Sequence, residues 1–472
     1  VAADEAKEQS GWERSILWRG FLGALALLLP VHLAVFAYLF FGSGRVEPSS
    51  FRPGESADLS GPYVPNDALT RGRLVPTRWV EAGNFERSGY QGVGPETVAV
   101  GPDGRLYAGL CDAAPGGSLT HPPACRTEGE SQGWIVRINP KDPSDVQPYV
   151  RTGGRPLGLA FDARGRLYVA DALKGLLRVE SRLSGDAALP TDFDPVAEVS
   201  APFHTVVPVA TCNRDDDHPD PQPDYTDSVA VAKDGSVWFT CPSQRWSIAD
   251  IRNDIMESAA TGRVLHYTPC QDEQPLRCAK RLLVDDLRYA NGIAVLEDDR
   301  SLLVNEWTGF RITRLHLSAD NRLRKRDVFF DNTPGYPDNI SVAEDGTIWV
   351  GMVIRRQKLI DHFRPYPLLM RALAALPADA VKLQRYAWLI GLDRNGHLKW
   401  NLQDATGFYN QATGGYPMGD ALYVASYTES SILCVTRPGS RPAQDPCDPW
   451  AQPAATAMVG EKGGEQSSAV QP

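Results

Sequence analysis

Hydrophobic and polar positions along this chain recur as one short theme: an opening residue, an alternating apolar run, a tight turn, and a second apolar run. The theme appears as Glu96-Thr-Val-Ala-Val, Leu157-Gly-Leu-Ala-Phe, Asp227-Ser-Val-Ala-Val, Asn291-Gly-Ile-Ala-Val and Asp338-Asn-Ile-Ser-Val. In four copies a glycine lies eight positions after the opener (Gly104, Gly165, Gly235, Gly346), and Leu106-Tyr-Ala-Gly, Leu167-Tyr-Val-Ala, Val237-Trp-Phe-Thr or Ile348-Trp-Val-Gly follows. The Asn291 copy carries Asp298-Asp299-Arg300 at its turn and runs one residue longer before Leu302-Leu-Val-Asn. A sixth, degenerate copy lies near Gln411 and Ala412, ahead of Leu422-Tyr-Val-Ala-Ser.

Two alternating apolar runs around a Pro-Asp-Gly or Glu-Asp-Gly turn predict an antiparallel hairpin. Copies spaced roughly 50 to 70 residues apart suit propeller blades of four strands with variable loops. Gly133-Trp-Ile-Val-Arg-Ile, Gly175-Leu-Leu-Arg-Val, Gly262-Arg-Val-Leu-His-Tyr, Phe310-Arg-Ile-Thr-Arg-Leu and Ser431-Ile-Leu-Cys-Val supply further strands. The expected fold is all-β, a six-bladed propeller over residues 78–447. The first strand of every blade lines the central channel in such a ring, so the openers converge on one axial position.

That convergence gives four of the openers a chemical meaning. Asp, Asn and Glu at strand starts most often supply turn and capping hydrogen bonds. Four oxygen donors in one register, Glu96, Asp227, Asn291 and Asp338, point instead to a shared metal. Carboxylate and amide oxygens on a rigid frame suit a hard cation, Ca²⁺ foremost, with Mg²⁺ or Mn²⁺ compatible. Such an ion polarises an ester or lactone carbonyl and stabilises the oxyanion that follows. A neighbouring carboxylate, Asp338 or Asp227, would be the base that deprotonates water, with Glu96 chiefly a ligand.

Outside the repeats, residues 21–41 are apolar and uncharged, the length of one bilayer-spanning helix. The stretch exceeds a signal-peptide core, and Gly42-Ser-Gly-Arg is a poor cleavage site, so it is expected to remain as an anchor. It follows an N-terminal segment, 1–20, and precedes a Pro-rich linker, 42–77. Lys7, Arg14 and Arg19 before the span outweigh Arg45 and Arg52 after it, which leans toward a cytoplasmic N-terminus. Eight cysteines form the sequence-near pairs Cys111/Cys125, Cys212/Cys241, Cys270/Cys278 and Cys434/Cys447. Local pairs of this kind suit disulfide staples of the periplasm, the secretory lumen or the cell exterior, although sequence leaves connectivity open. A single-pass membrane protein with an extracytoplasmic propeller is the expectation.

A net charge of −10 argues against a nucleic-acid partner. The chain has no P-loop, GxGxxG after a strand, HExxH, GxSxG or paired CxxC, which removes the nucleotide, zinc-protease and serine-hydrolase readings. Two insertions interrupt the blades. Residues 352–384 set Leu359, Ile360, Phe363, Leu368, Leu369, Met370 and Leu373 among Arg355, Arg356, Lys358, Arg364 and Arg371, a basic amphipathic helix broken at Pro365 and Pro367. It suits a membrane surface, a lid over the channel mouth, or a helix on the rim with a solvated basic face. Residues 243–260, with Trp246, Ile248, Ile251, Ile255 and Met256, suit a flap over the same mouth. The tail, 448–472, has the composition of disordered chain.

In their order along the chain, Gly94-Pro-Glu-Thr, Gly154-Arg-Pro-Leu-Gly-Leu, Leu167-Tyr-Val-Ala-Asp-Ala, Phe239-Thr with Gln244-Arg-Trp, Ala290-Asn-Gly-Ile, Pro334-Gly-Tyr-Pro-Asp-Asn-Ile and Trp349-Val-Gly-Met form a recognisable set. It resembles the strictosidine-synthase-like branch of the calcium-dependent six-bladed propellers, the superfamily of regucalcin, gluconolactonase and the paraoxonases. The resemblance implies that Glu96, Asn291 and Asp338 ligate a divalent ion. At the fourth position relatives usually have Asn, and Asp227 makes this site more acidic. Asn339 resembles a further ligand of paraoxonases, although adjacent side chains of a strand face opposite ways.

Two departures restrict the activity that the resemblance implies. The paraoxonase histidine is matched by Arg155-Pro-Leu-Gly-Leu, and the strictosidine synthase glutamate of the final blade has no counterpart, since Ala405 to Pro417 holds no acidic residue. The expected function is a membrane-anchored, divalent-metal-dependent hydrolase of lactones or aryl esters. The alternative is a non-catalytic extracytoplasmic binding or assembly module with a structural metal. Expected partners are a small ester or lactone and the membrane, through the N-terminal helix and residues 352–384, with room for a protein partner in the second reading.

Overall fold

A computed structural model describes residues 46–55, 60–77, 92–112, 133–181, 204–213, 225–270, 278–377 and 384–448, with Leu33, Ala34 and Ala37. The rest of the expected 21–41 anchor, Cys125, and residues 449–472 of the expected tail lie outside the described residues, and no described helix is long and apolar enough to cross a membrane.

The described residues form six antiparallel sheets, five of four strands and one of five. They are the six blades of the expected propeller. The inner strands are Val98–Val100, Pro156–Phe161, Val229–Val231, Ala290–Val295, Gly335–Val342 and Ala412–Met418. Each is followed by a second strand across the predicted turn, as in Val231 paired with Val237 and Val342 with Ile348. Gly104, Gly165, Gly235 and Gly346 take positive φ, between 72° and 86°, at those turns. In the copy without glycine, Asp299 adopts φ 50°, one of the few side chains that tolerate the left-handed region.

Second strands such as Leu167–Asp171 and Val237–Cys241 are buried at every position. The reason is layering: both faces of a blade are covered by its neighbours, so these strands read as continuous apolar runs. One cluster joins Tyr107 and Ile135 of the first blade to Leu159 and Val169 of the second, and another joins Leu303 and Ile312 of the fourth to Trp388 and Ile390 of the fifth.

The ring closes with chain expected to be linker. Arg73–Pro76 pairs antiparallel with the last strand, Ser431–Thr436, from Arg73 opposite Cys434 to Pro76 opposite Ser431, and becomes the outermost strand of the sixth blade. Pro76 is tolerated there because an edge strand has no outer neighbour to receive its missing N–H. The propeller thus begins before residue 78, and its two ends are held by one sheet. Disulfides link Cys212 to Cys241, Cys270 to Cys278 and Cys434 to Cys447 as the spacing suggested. Cys111 is also disulfide-bonded.

Both insertions join the second and third strands of a blade, so they emerge at the end of the ring where the inner strands begin. The first holds helix α1 (Ile251–Glu257), the second α2 (Lys358–Phe363) and α3 (Pro367–Ala375). The expected break falls between α2 and α3. Of the basic residues whose placement the sequence left open, Lys358 is exposed, whereas Arg356 and Arg364 are buried, each with its guanidinium over the Phe310 ring, 4.3 and 5.1 Å from the centroid. Arg356 also pairs with Asp361, and Arg364 donates to the Tyr336 hydroxyl at 2.9 Å. These two cations fasten the lid to the propeller, because a guanidinium stacks and hydrogen-bonds at once.

Candidate functional site

The strand pairing is interrupted around several of the openers, where the inner strands approach the axis. The pairing register shifts between Ala290 and Ile293 around Asn291, and between Pro337 and Ile340 around Asp338. The same shift recurs at Pro156/Gly158 and Ala412/Gly414. Glu96 lies in the gap between Gly92–Val93 and Val98–Val100, two short segments that both pair with Leu106–Asp112. A bulge adds a residue to one strand and re-aims its side chain, a recurrent device beside functional sites. Glycine lets the inner strands crowd together there: a Cβ on Gly158 would come 2.7 Å from Ser228 Cα, and one on Gly292 would come 2.5 Å from the Asp338 carbonyl oxygen.

Glu96, Asp227, Asn291 and Asp338 are all buried and line one cavity, together with Leu157, Tyr225, Tyr289, Trp307, Val353, Gln411 and Tyr427. In each of the four, one side-chain oxygen has no hydrogen-bond partner: Glu96 Oε2, Asp227 Oδ1, Asn291 Oδ1 and Asp338 Oδ1. Buried polar atoms are nearly always paired, so four orphaned oxygens around one space call for a ligand. No arrangement of three or more His, Cys, Asp or Glu side chains already drawn into a metal-holding cluster exists among the described residues. The oxygens share a cavity rather than a finished coordination shell.

The electrostatics point the same way. Burial pushes the Glu96 carboxyl up to about 7 despite the opposing pull of Arg155. Asp227 rises well above the carboxylate range through burial and then repulsion from Glu96, and Asp338 through burial and then repulsion from Glu96 and Asp227. Three buried carboxylates face one buried guanidinium, Arg155, which leaves two negative charges when all are ionised. That residual matches a divalent cation, and the donor set is the hard-oxygen kind such ions prefer.

Other groups hold these side chains in place. Tyr225 donates to Asp227 Oδ2 at 3.2 Å, and its hydroxyl lies 2.6 Å from that of Tyr289. Thr413 and Asn339 donate to the Glu96 carbonyl at 2.7 and 3.1 Å. Asn339 stands apart from the other four expected ligands, since its amide supports the Glu96 backbone and it is not part of the cavity wall. Gln411, opener of the degenerate sixth copy, was not expected to matter. It has φ 50°, and both its Oε1 and Nε2 are buried without partners at the cavity wall.

Ile248 and Ile251 of the first insertion close the mouth, packing with Leu157, Tyr289, Trp307, Tyr336, Val353 and Tyr427. The enclosed cavity is about 20 Å³, room for roughly one water. Ile248 and Ile251 thus stand at the wall between the first insertion and the axial oxygens.

Residues 227–320 match the family model for strictosidine synthase, and residues 85–112 match that for the strictosidine synthase-like N-terminal region. An adipocyte plasma membrane-associated protein of Salmo salar is 30% identical over 418 residues, covering 86% of this chain and 87% of that protein. The strictosidine synthase-like 7 protein of Arabidopsis thaliana is 26% identical over 386 residues, covering 78% and 87%. A gluconolactonase structure from Xanthomonas campestris aligns with TM-score 0.45 at 15% identity, over 82% of this chain and 96% of that one.

Proposed function

This chain belongs to the strictosidine synthase-like family that includes the adipocyte plasma membrane-associated proteins, and from that premise we propose that it is a membrane-anchored, divalent-cation-dependent hydrolase of lactones or aryl esters. The observation that carries the proposal is the set of four orphaned oxygens, on Glu96, Asp227, Asn291 and Asp338, in one buried cavity. The residues fit Ca²⁺, with Mg²⁺ or Mn²⁺ as alternatives; a bound cation supplies Lewis-acid polarisation of the substrate carbonyl and neutralises developing negative charge.

The chain's own groups do the rest. Glu96 and Asn291 act as ligands, with Glu96 steadied through its carbonyl by Thr413 and Asn339. Asp338, or Asp227 fixed by the Tyr225 hydroxyl, accepts the proton of the attacking water. The unpaired amide of Gln411 hydrogen-bonds the acyl or leaving-group oxygen. Leu157, Tyr289, Trp307 and Val353 exclude bulk water, which strengthens every charge interaction inside the mouth. The 21–41 span anchors the chain, and the disulfide-stapled propeller lies on the extracytoplasmic side.

The test is turnover of phenyl acetate and a γ-lactone by the purified full chain, with and without chelator, beside the Asp338→Asn variant. Hydrolysis that chelator and the substitution both abolish supports the proposal; full activity in excess chelator ends it. The tightly shut cavity favours one competing reading, a binding module whose ion plugs the channel. Cation-dependent thermal stability without turnover on any ester or lactone would establish that reading instead.

A further inference from the structure

We infer that the lid end of the propeller, carrying α1, α2 and α3, docks onto the lipid bilayer that anchors the chain, so that the channel mouth opens at the membrane interface. The inference rests on the anchor reading of residues 21–41. In its consequence for substrate it also rests on the hydrolase proposal.

The chain leaving the span is pinned to the lid almost at once. Val46 is 3% exposed and packs with Trp246, Met256, Met370 and Ala374, between the two insertions. Its carbonyl accepts from Arg371 Nε at 3.1 Å, the Glu47 amide donates to Glu257 Oε1 at 3.0 Å, and the Ser49 amide donates to the Glu257 carbonyl at 2.8 Å. Four residues lie between Phe41 and Val46, and the five steps that join the two reach about 17 Å when fully extended. The lid is therefore tethered within the thickness of the interfacial layer and its immediate margin, and a propeller held this way cannot turn its mouth far from the bilayer.

The outer surface of the lid has the composition for contact. Leu359 and Leu368 are 62% and 63% exposed, with Tyr366 and Leu369 also exposed, while Ile360, Phe363, Met370 and Leu373 of the same helices pack inward. Helices apolar on both faces bury one in the protein and need an apolar partner for the other. Exposed Arg52 and Lys358 border the same surface, on a cleft that Glu55, Asp361, His362 and Tyr366 also line, so a polar rim of both charge signs surrounds the apolar tips, as at a lipid headgroup layer. Ile248 and Ile251 of the flap lie directly beneath, so a hydrophobic ester or lactone dissolved in the bilayer would enter past them without crossing bulk water.

The test uses the full chain reconstituted in phosphatidylcholine–phosphatidylserine vesicles, with an environment-sensitive fluorophore on Leu368→Cys or, at the opposite end of the ring, on Asn395→Cys. Lipids brominated along the acyl chain should quench the label at 368 by roughly half and leave that at 395 unchanged, since only the first reaches the hydrocarbon boundary. Equal quenching at both positions, in a chain that alkaline carbonate does not extract, overturns the docked orientation. Extraction by carbonate overturns the anchor premise and the inference with it. Shielding of residue 368 that persists in detergent and grows with protein concentration identifies a second copy as the occupant and also overturns it. The double variant Leu359→Asp/Leu369→Asp, made in the Leu368→Cys background and labelled there, should lose the quenching contrast. It should hydrolyse long-chain esters in vesicles roughly tenfold more slowly while keeping its turnover of phenyl acetate. Absence of any ester turnover beside an intact quenching contrast would count against the hydrolase alone and leave the membrane-facing mouth in place.

Discussion

Burial raises the carboxyls of Glu96, Asp227 and Asp338, with Glu96 adding to the rise of Asp227 and both adding to that of Asp338, so burying negative charge is the dominant cost at the axis. Asp338→Asn removes one of those charges and one cation ligand together. Without added cation the variant should be more stable than the parent at pH 8, while gaining little thermal stability from Ca²⁺; its ester turnover should fall about 10²-fold or more, the usual worth of a positioned base. Calorimetry with and without Ca²⁺ checks the first two outcomes. Asp254, buried in α1 and outside the cavity wall, although near enough to raise Tyr289 within it, offers a second titration. Burial raises it from 3.8 to about 7. The protonated form is favoured in the folded state, so its stabilisation is complete below about pH 4 and is lost as pH rises through 7. Asp254→Asn should flatten that part of the melting-temperature profile, and a slope identical to the parent's would refute the assignment. The axial openers were legible because a period and a register repeat them. Tyr225, Tyr289 and Trp307 were not: the two tyrosines stand two residues before Asp227 and Asn291, an offset outside the repeated theme, Trp307 follows the end of a second strand, and Gln411 sits in a copy too degenerate to weigh by pattern.

At the scale of elements, the flap bears on access. Its α1 and the preceding turn place Ile248 and Ile251 over a cavity with room for one water, so a substrate that entered from this side would displace the flap. Ile251→Ala should raise kcat/KM for bulky aryl esters several-fold while costing roughly 2–4 kcal/mol of stability, measured by steady-state kinetics and urea unfolding. An unchanged profile for bulky substrates would mean that entry runs elsewhere. The insertion at 352–384 shows where amphipathic reading stops. Its arginines were compatible with a solvated basic face, yet Arg356 and Arg364 turn inward to the Phe310 ring, to Asp361 and to Tyr336. Helix periodicity records which residues share a face but not which face meets an aromatic acceptor from a different blade.

The whole ring is held shut by the pairing of Arg73–Pro76 with Ser431–Thr436. Val75 is buried in the cluster that joins the first and sixth blades, so Val75→Asp should open the ring at the greatest sequence separation it spans. The expected cost is about 3 kcal/mol or more, with early loss of cooperativity in thermal unfolding. A variant as stable as the parent would show that closure does not depend on this strand. The Cys212–Cys241 bridge, 29 residues apart, should contribute roughly 3–4 kcal/mol by restricting the unfolded chain. Replacing both cysteines with alanine should lower the melting temperature without altering the response to Ca²⁺, because neither residue touches the axial cavity.

Sequence alone determined the blade count, the turns and the openers, since these are local patterns written repeatedly: alternation for a strand, Gly104 and its equivalents for a turn, an oxygen donor at the head of each inner strand. It also paired the cysteines near one another in the chain. Tertiary structure decided what locality does not encode. The strand from the supposed linker found its partner some 360 residues away, the lid arginines found an aromatic ring on another blade, and the ring brought Glu96, Asp227, Asn291 and Asp338 to the wall of one cavity. Those outcomes depend on closing a ring, and closure brings together groups whose separation along the chain carries no signal of their meeting.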